Sequence, residues 1–544
     1  MAQLMSVNNT EMLSGKHQAP AFLGHVLVLG LGVTGTAVLE YLSTQPKGRI
    51  RSISVFGGTK KCALPDVLSK FNCNSAVQFG EGAIEGLSNA AGISKFDVCI
   101  ASPGISEFAP EYICAKERSL EVVSEVEFAW RESSESSKWV AITGTNGKTT
   151  TTHMVQQAII NAYGSAAYDP TSTNLEQGIA TTLCLDCETG TTRKSDWAVI
   201  ESDEGATKLI LPATHPSVLV VTNLYRDQID RYPTWTTARD YIIEAIKTSP
   251  ETTLVLDADC QVCASIAKRV PNKVIWYGVE CNPYGEDVAD HDEHVQCIEC
   301  GAELEFSHRS FAHLGNFSCP ACGYSHSNPD IAVVGVTNIQ EKSCTLEIRV
   351  HDKVVKLPVN IRAGYDVYNA VAAYAGLITA GVPSEKVEAA LEHFTHAAHR
   401  FEIFDIDGAQ TRLLLMKNTA GCNQLINMLL TEPALPENIV CLLGNEIMDG
   451  ISTEWIEDIR WEKLITSKTK LTVGGPRYAD LQKRFVRAGA SPENIHVQTN
   501  YAALIEEISS GDVPVTVIAN CSTIEALRAE LIKKYQPIDY WAQG

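Results

Sequence analysis

The 544-residue sequence predicts an α/β protein of three domains, on three observations. An apolar run meets closely spaced glycines and then a helical pattern at 25–41, and the same order recurs at 138–163. Beyond that, β-branched runs alternate with helical patterns almost to the C-terminus, as doubly wound parallel sheets require. The length supports the count, since a domain takes roughly 100–200 residues. The composition, 45% hydrophobic and 20% charged, is that of a globular chain. A net charge of -21 argues against nucleic acid as a partner, because a phosphate backbone needs fields of Lys and Arg. No run of about 18 apolar residues predicts a membrane span. Residues 1–23 lack the apolar core of a signal peptide and read as a mobile tail. With 17 cysteines, this predicts a reducing, cytoplasmic setting with free thiols or a metal site.

The first domain is expected over 24–136. "HVLVLGLGVTG" places Gly30, Gly32 and Gly35 in the spacing G-x-G-x-x-G between a strand and a helix. Such glycines let a backbone approach a ligand phosphate, and they serve equally well in a tight turn that binds nothing. "ISVFG" and "FDVCIASPGI" are further strands of this Rossmann-like unit.

The central domain is expected over 137–397. "WVAIT" reads as a buried strand, Gly144-Thr145-Asn146-Gly147 as a turn, and Lys148-Thr149-Thr150 as the start of a helix. The first glycine of a full G-x-x-x-x-G-K lead-in is replaced by Ile142. The chemistry still fits a triphosphate: two glycines admit it, Lys148 reaches its β- and γ-phosphates, and the Thr149 hydroxyl suits magnesium. "AVIESDEGA" ends a strand in Glu201, Asp203 and Glu204, where open α/β sheets place ligands; Glu201 is the expected magnesium carboxylate. Strands are also expected at "SVLVVTNL", "TTLVLDAD" and "KVIWYGV". Within 295–325, Cys297, Cys300, Cys319 and Cys322 form two C-x-x-C knuckles, the spacing of a closed, structural zinc ribbon. Acidic "GEDVADHDEHVQ" beside it argues against nucleic-acid binding. The pairs Cys184/Cys187 and Cys260/Cys263 have no second knuckle and read as core thiols. His393, His396 and His399 read as surface histidines rather than a metal cluster. A third α/β domain, 398–544, carries "RLLLMK", "IVCLLG", "KLTVGG" and "PVTVIAN" as strands.

"TGTNGKTT" resembles the phosphate loop of the Mur ligases, ATP-dependent amide-forming enzymes of peptidoglycan synthesis. "HVLVLGLGVTG", "SPGI" and "EVVSEVEFAWRE" resemble the N-terminal domain of the branch that adds D-glutamate, where the glycine loop binds the uridine diphosphate of the substrate. "TSTNLEQGIAT", "NLYRDQIDRYP", "YDVYNAVAAY", "LLLMKNTAGCNQ" and "GNEIMDGISTEWIEDIRWEKL" resemble the branch that amidates lipid II. That branch carries a ribbon in its middle domain.

The resemblance implies ATP, Mg2+ and Zn2+ as cofactors and activation of a carboxylate as an acyl phosphate. It implies lipid II at the inner membrane face as substrate and a glutaminase partner of the GatD type supplying ammonia. Lys148 and Thr149 then hold phosphate and magnesium, and Glu201 the magnesium. Asn174 lies on the substrate side, Asn369 on the adenine side, and Arg400 faces the nucleotide. Lys417 falls near a substrate-contact position. Asp449, with Asp458 as the fallback, would be lent to the glutaminase. Departures are Asp227-Gln228, where a magnesium-binding Asp-His is usual, and Ile243, Glu244 and Ala245, where the D-glutamate-adding branch has a carbamylated lysine. A ligase adding an amino acid to a UDP-muramoyl substrate, and a non-catalytic ATP-binding scaffold, are the other functions the sequence admits.

Overall fold

A computed structural model describes residues 11–538 except 62–63, 169–173, 176–177, 180–194, 226–231, 233, 235, 285–294, 341, 363, 396–400, 447–448, 451 and 512. The first sheet has five parallel strands: β1 (Gly24–Leu29), β2 (Ile50–Phe56), β3 (Asn74–Gln78), β4 (Phe96–Ala101) and β5 (Ser119–Ser124). Their order is β3-β2-β1-β4-β5. The winding reverses between β1 and β4, which opens a crevice at the carboxyl ends of these strands. Helices Val33–Ser43 and Glu125–Arg131 pack on one face through Val38, Leu39, Leu42 and Phe128. Helices Ala83–Ala91 and Pro110–Glu117 cover the other through Ile84, Leu87 and Ala115.

Residues 11–22 depart from the expected mobile tail. The His17 N–H donates to Ser133 O at 3.1 Å and the Gln18 N–H to Arg131 O at 3.2 Å. The His17 ring stacks on Trp130 at 4.8 Å, and Trp130 in turn lies 5.0 Å from His215 of the second domain. Arg49 closes the junction: it pairs with Glu132 at 2.6 Å, both side chains buried, and donates to Pro20 O at 2.7 Å. Backbone partners of this kind are what a tail lacks and a docked segment has.

The second domain is built on β6 (Lys138–Thr143), β7 (Trp197–Glu201), β8 (Val218–Val221), β9 (Thr253–Asp257) and β10 (Val274–Val279). A hairpin of β11 (Glu305–Phe311) and β12 (Leu314–Ser318) stands apart, and β13 (Ile331–Thr337), β14 (Cys344–Val350) and β15 (Lys353–Val359) complete the sheet. The order is β15-β14-β13-β10-β9-β8-β6-β7. The expectation of a parallel sheet is corrected at one edge: β14 runs antiparallel to both of its neighbours, β13 and β15. The reason is local. "CTLEIRV" alternates buried and half-buried residues, so one face meets the core and the other is partly open, as antiparallel edges allow. β6, β7 and β8 are apolar runs buried almost throughout, because helices flank them on both sides. Helices Lys148–Tyr163 and Tyr365–Thr379 pack together over this sheet.

The third domain carries β16 (Phe401–Ile406), β17 (Ala409–Leu415), β18 (Asn438–Leu442), β19 (Lys470–Gly474), β20 (Ile495–Val497), β21 (Val515–Ala519) and β22 (Pro537–Ile538), in the order β20-β19-β18-β21-β17-β16-β22. Cores lie on both faces, one around Trp461 and Phe485, the other around Phe404 and Leu527. Helix Thr419–Leu430, which follows β17, points its N-terminus at the second domain's phosphate loop.

Candidate functional site

The loop is shaped by two glycines that no other residue could replace. Gly144 has φ +126°, and a Cβ there would strike Thr222 Oγ1 and the Asn223 backbone. Gly147 has φ +81°, caps helix Lys148–Tyr163, and would strike Asn369 Oδ1. Both are left-handed positions that L side chains avoid. The exit of β8 then fixes the turn between them. Thr145 N–H donates to Asn223 O at 2.7 Å and Asn146 N–H to Asn223 Oδ1 at 2.9 Å. Asn146 O accepts from Thr222 Oγ1 at 2.7 Å and from Asn223 Nδ2 at 3.0 Å. Two loop N–H groups are thus committed to Asn223. The anion-facing donors are those of the helix's first turn, Lys148 to Thr150, reinforced by its positive end.

The three carboxylates after β7 divide the work. Thr149 Oγ1 donates to Glu201 Oε1 at 2.9 Å, with both residues buried. Hydroxyl and carboxylate in contact are a hard-oxygen set of the kind magnesium takes beside phosphates. Lys148 Nζ lies 3.2 Å from Glu204 Oε2, with only 5% of either side chain exposed, and donates to Gly144 O. Asp203 is turned to structure: its Oδ1 accepts from Tyr232 OH at 2.8 Å and from Gly205 N–H at 3.1 Å. The Asp203 N–H donates to Asn174 O at 2.8 Å, which brings Asn174 to the same rim.

The third domain reaches the loop directly. Asn146 Nδ2 donates to Asn418 Oδ1 at 3.3 Å, and Asn418 Nδ2 returns a bond to Asn146 Oδ1 at 3.0 Å. Asn418 Oδ1 also caps helix Thr419–Leu430 through Gly421 N–H at 2.9 Å. That cap fixes which end of the amide is oxygen, and so orients the reciprocal pair. Lys417 Nζ lies 3.4 Å from Thr145 O. On the other side Asn369 presses against Gly147 and donates to Asp366 Oδ1 at 3.0 Å. Burial pushes the Asp366 carboxyl up to about 7, against the opposing pull of Asn369 and Arg362. Arg400 lies outside the described residues.

Other expected positions lie elsewhere. Gly30 has φ +116° and would strike Ser102 with a Cβ; Gly35 would strike Gly30 O; Gly32 faces open space, with nothing within 4 Å. These glycines stand at the β1/β4 crevice. Asp449 accepts from Ser522 N–H at 3.0 Å, from the Ser522 hydroxyl and from Glu446 N–H at 3.1 Å, which ties its loop to helix Cys521–Leu531. Asp458 is exposed. Cys260 and Cys263 are fully buried, with Cys260 Sγ 3.3 Å from His313 Nε2. Glu244 points outward to Lys208 at 3.0 Å. Cys184, Cys187, Asp227, Gln228, His396 and His399 lie outside the described residues.

The sulfurs of Cys297, Cys300, Cys319 and Cys322 lie within 4.8 Å of one another, the group among the described residues that could hold a metal ion. Cys297 and Cys322 are 3.8 Å apart, and Cys300 and Cys319 3.5 Å. A zinc tetrahedron with bonds of about 2.3 Å needs edges near 3.8 Å, so the set fits that ion.

Phosphate loop, paired acids and a third domain closing on the loop define a nucleotide-dependent ligase of three α/β domains. Comparison with known proteins agrees. The Mur ligase middle domain matches residues 142–313, and the MurT ligase C-terminal family matches residues 415–524. The chain thus carries Mur ligase family domains over both matched segments. It is therefore an ATP-dependent ligase that forms carbon–nitrogen bonds. It is 28% identical over 375 residues to the MurT subunit of lipid II isoglutaminyl synthase (glutamine-hydrolyzing) from Streptococcus pneumoniae, covering 69% of this chain and 82% of that protein. With the Staphylococcus aureus (strain COL) protein of the same description it shares 27% over 347 residues, covering 63% and 76%. The fold resembles a pseudomurein peptide ligase type C from Methanothermus fervidus, with a TM-score of 0.61 at 17% identity over 94% of this chain and 99% of that one. It also resembles MurF from Acinetobacter baumannii, with a TM-score of 0.57 at 14% identity over 92% and 98%. Among the described residues no helix is long and apolar enough to cross a membrane.

Proposed function

We propose that this chain is the synthetase of an amidotransferase that converts the D-glutamate of lipid II to D-isoglutamine. ATP phosphorylates the α-carboxyl, ammonia from a glutaminase partner attacks the acyl phosphate, and the phosphate leaves. The observation that carries this reading is the MurT-type third domain set on the phosphate loop through Lys417 and Asn418. Phosphoryl transfer asks for positioning and charge neutralisation more than for covalent help. Lys148 supplies a cation at the loop, and in meeting a phosphate it would leave Glu204. Thr149 and Glu201 would hold magnesium, whose chemistry is to neutralise the developing phosphate charge. Asn369 and Arg400 would bound the nucleotide, Asn174 and Lys417 the acceptor side. Asp449 would face the glutaminase. The four thiolates would hold zinc in a closed, structural site.

A second reading rests on Gly30, Gly32 and Gly35 at the β1/β4 switch point, where open sheets bind ligands. On that reading the chain joins an amino acid to a UDP-muramoyl substrate, with the uridine diphosphate at this loop. ATP-dependent phosphate release separates the two. Lipid II with ammonia is offered in one assay, and UDP-muramoyl-L-alanine with D-glutamate in another. Turnover with lipid II alone is expected, and Lys148→Ala should abolish it. Turnover with the UDP substrate alone would replace the first reading with the second.

A further inference from the structure

The cysteine insertion is not an appendage. Its small core of Val295, Leu304, Phe317 and Tyr324 packs on Ala264, and the segment after β9 is stitched to it. Tyr324 OH donates to Gln261 O at 2.5 Å, Gln261 Nε2 to Gln296 O at 2.9 Å, and Gly315 N–H to Asp259 O at 3.1 Å. At the centre is the Asp259 carboxylate, 1% exposed. It receives three donors from three different elements. His326 Nε2, just beyond the second knuckle, lies 2.8 Å from Oδ1. Val279 N–H, at the end of β10, donates to Oδ2 at 2.8 Å, and Tyr368 OH at 2.7 Å. The Tyr368 oxygen is also 2.9 Å from Ser310 Oγ on β11.

Such convergence is more than solvation of a buried acid. Asp257 lies beside it and accepts the Asp259 N–H at 3.0 Å; burial first, and the Asp259 charge second, push the Asp257 carboxyl well up. Tyr368 precedes Asn369 on helix Tyr365–Thr379, and Asn369 is the side chain against Gly147 of the phosphate loop.

We propose that Asp259 and Tyr368 form a positioning pair that couples the four-cysteine insertion to the nucleotide loop: the insertion holds the helix, and the helix holds Asn369 against Gly147. The proposal rests on the reading that this loop binds ATP. Metal loading then sets nucleotide affinity as well as stability, which a detached structural knuckle would not do.

Tyr368→Phe tests it, since it keeps the ring and removes one hydroxyl. Affinity of the full chain for a non-hydrolysable ATP analogue with magnesium is measured by calorimetry, beside metal content and Tm. We expect affinity to fall by about fivefold or more, the low end of ordinary coupling between sites, with four-thiolate metal content retained. Cys300→Ser should lower metal content and affinity together. Combined with Tyr368→Phe it should weaken the nucleotide no further, because both cut one connection. Tyr368→Phe within twofold of wild type, or two effects that multiply independently, overturns the proposal. A Lys148→Ala control that leaves affinity unchanged would instead defeat the reading of the loop.

Discussion

At the scale of single residues, Asp366 shows what the nucleotide side costs the fold. Its carboxyl, held near 7 by burial, has an ordinary value of 3.8. Between about pH 4 and pH 7 the unfolded chain has given up this proton and the folded chain has not. Raising the pH therefore removes stability through that window, and the loss is complete above it. Asp366→Asn keeps an oxygen for Asn369 and carries no charge. We expect the variant to be more stable than wild type at pH 8, by at most about 4 kcal/mol, with the gap closing toward pH 4. Urea denaturation at both pH values reads this; a gap independent of pH would rule it out. Much at this scale was legible in the sequence. The turn at Gly144 to Thr149 and the acid that closes β7, Glu201, announce themselves because a buried strand, a glycine turn and a helix start follow one another in the chain. Asn223, Asn418 and Asp259 were missed, because they act by bonding atoms that are distant along the chain and leave no local pattern. Asn223 stands in a quoted strand end, and only the loop bonded to it reveals its use.

At the scale of elements, helix Thr419–Leu430 is capped by the same side chain that meets the loop. Its two tasks can be separated. Asn418→Ser retains a cap for Gly421 N–H and loses the donor to Asn146. Asn418→Ala loses both and should cost about 1 kcal/mol more in stability. Both should raise the KM for ATP by a similar factor. If only the alanine variant raises it, the amide pair is a by-product of capping. Strands of the second sheet were readable where they are continuously apolar, as in β6 and β8. β14 and β15 escaped, although "CTLEIRV" and "KVVKLPV" alternate as edge strands do. β20 has three residues and β22 two, too few to carry a periodic signal.

At the scale of the whole molecule, residues 11–22, which the sequence read as part of a mobile tail, are docked on the first domain beside a buried ion pair of that domain. Arg49 and Glu132 are buried together there, and Tyr41 OH donates to Glu132 Oε2 at 2.7 Å. Removing one member of a buried pair strands the other. Glu132→Ala should cost 3–5 kcal/mol, on the order found for such pairs. The expected sign is an early calorimetric transition, that of the first domain, with ATP-analogue binding preserved below it. A single transition shifted as one unit would show that the domains melt together.

The contact between Lys148 and Glu204 has a consequence for how a nucleotide arrives. The loop's ammonium is neutralised before any ligand comes, inside a chain whose net charge is -21. Such a site casts little attraction over distance, and the surrounding field opposes a free tetra-anion. Capture would then proceed by exchange at contact, with Glu204 giving way as the magnesium complex, which carries half the charge of the free nucleotide, enters. Encounter at this buried loop should therefore be slow and should quicken as added salt screens the repulsion, so the selection of the metal complex over bare ATP begins before binding is complete.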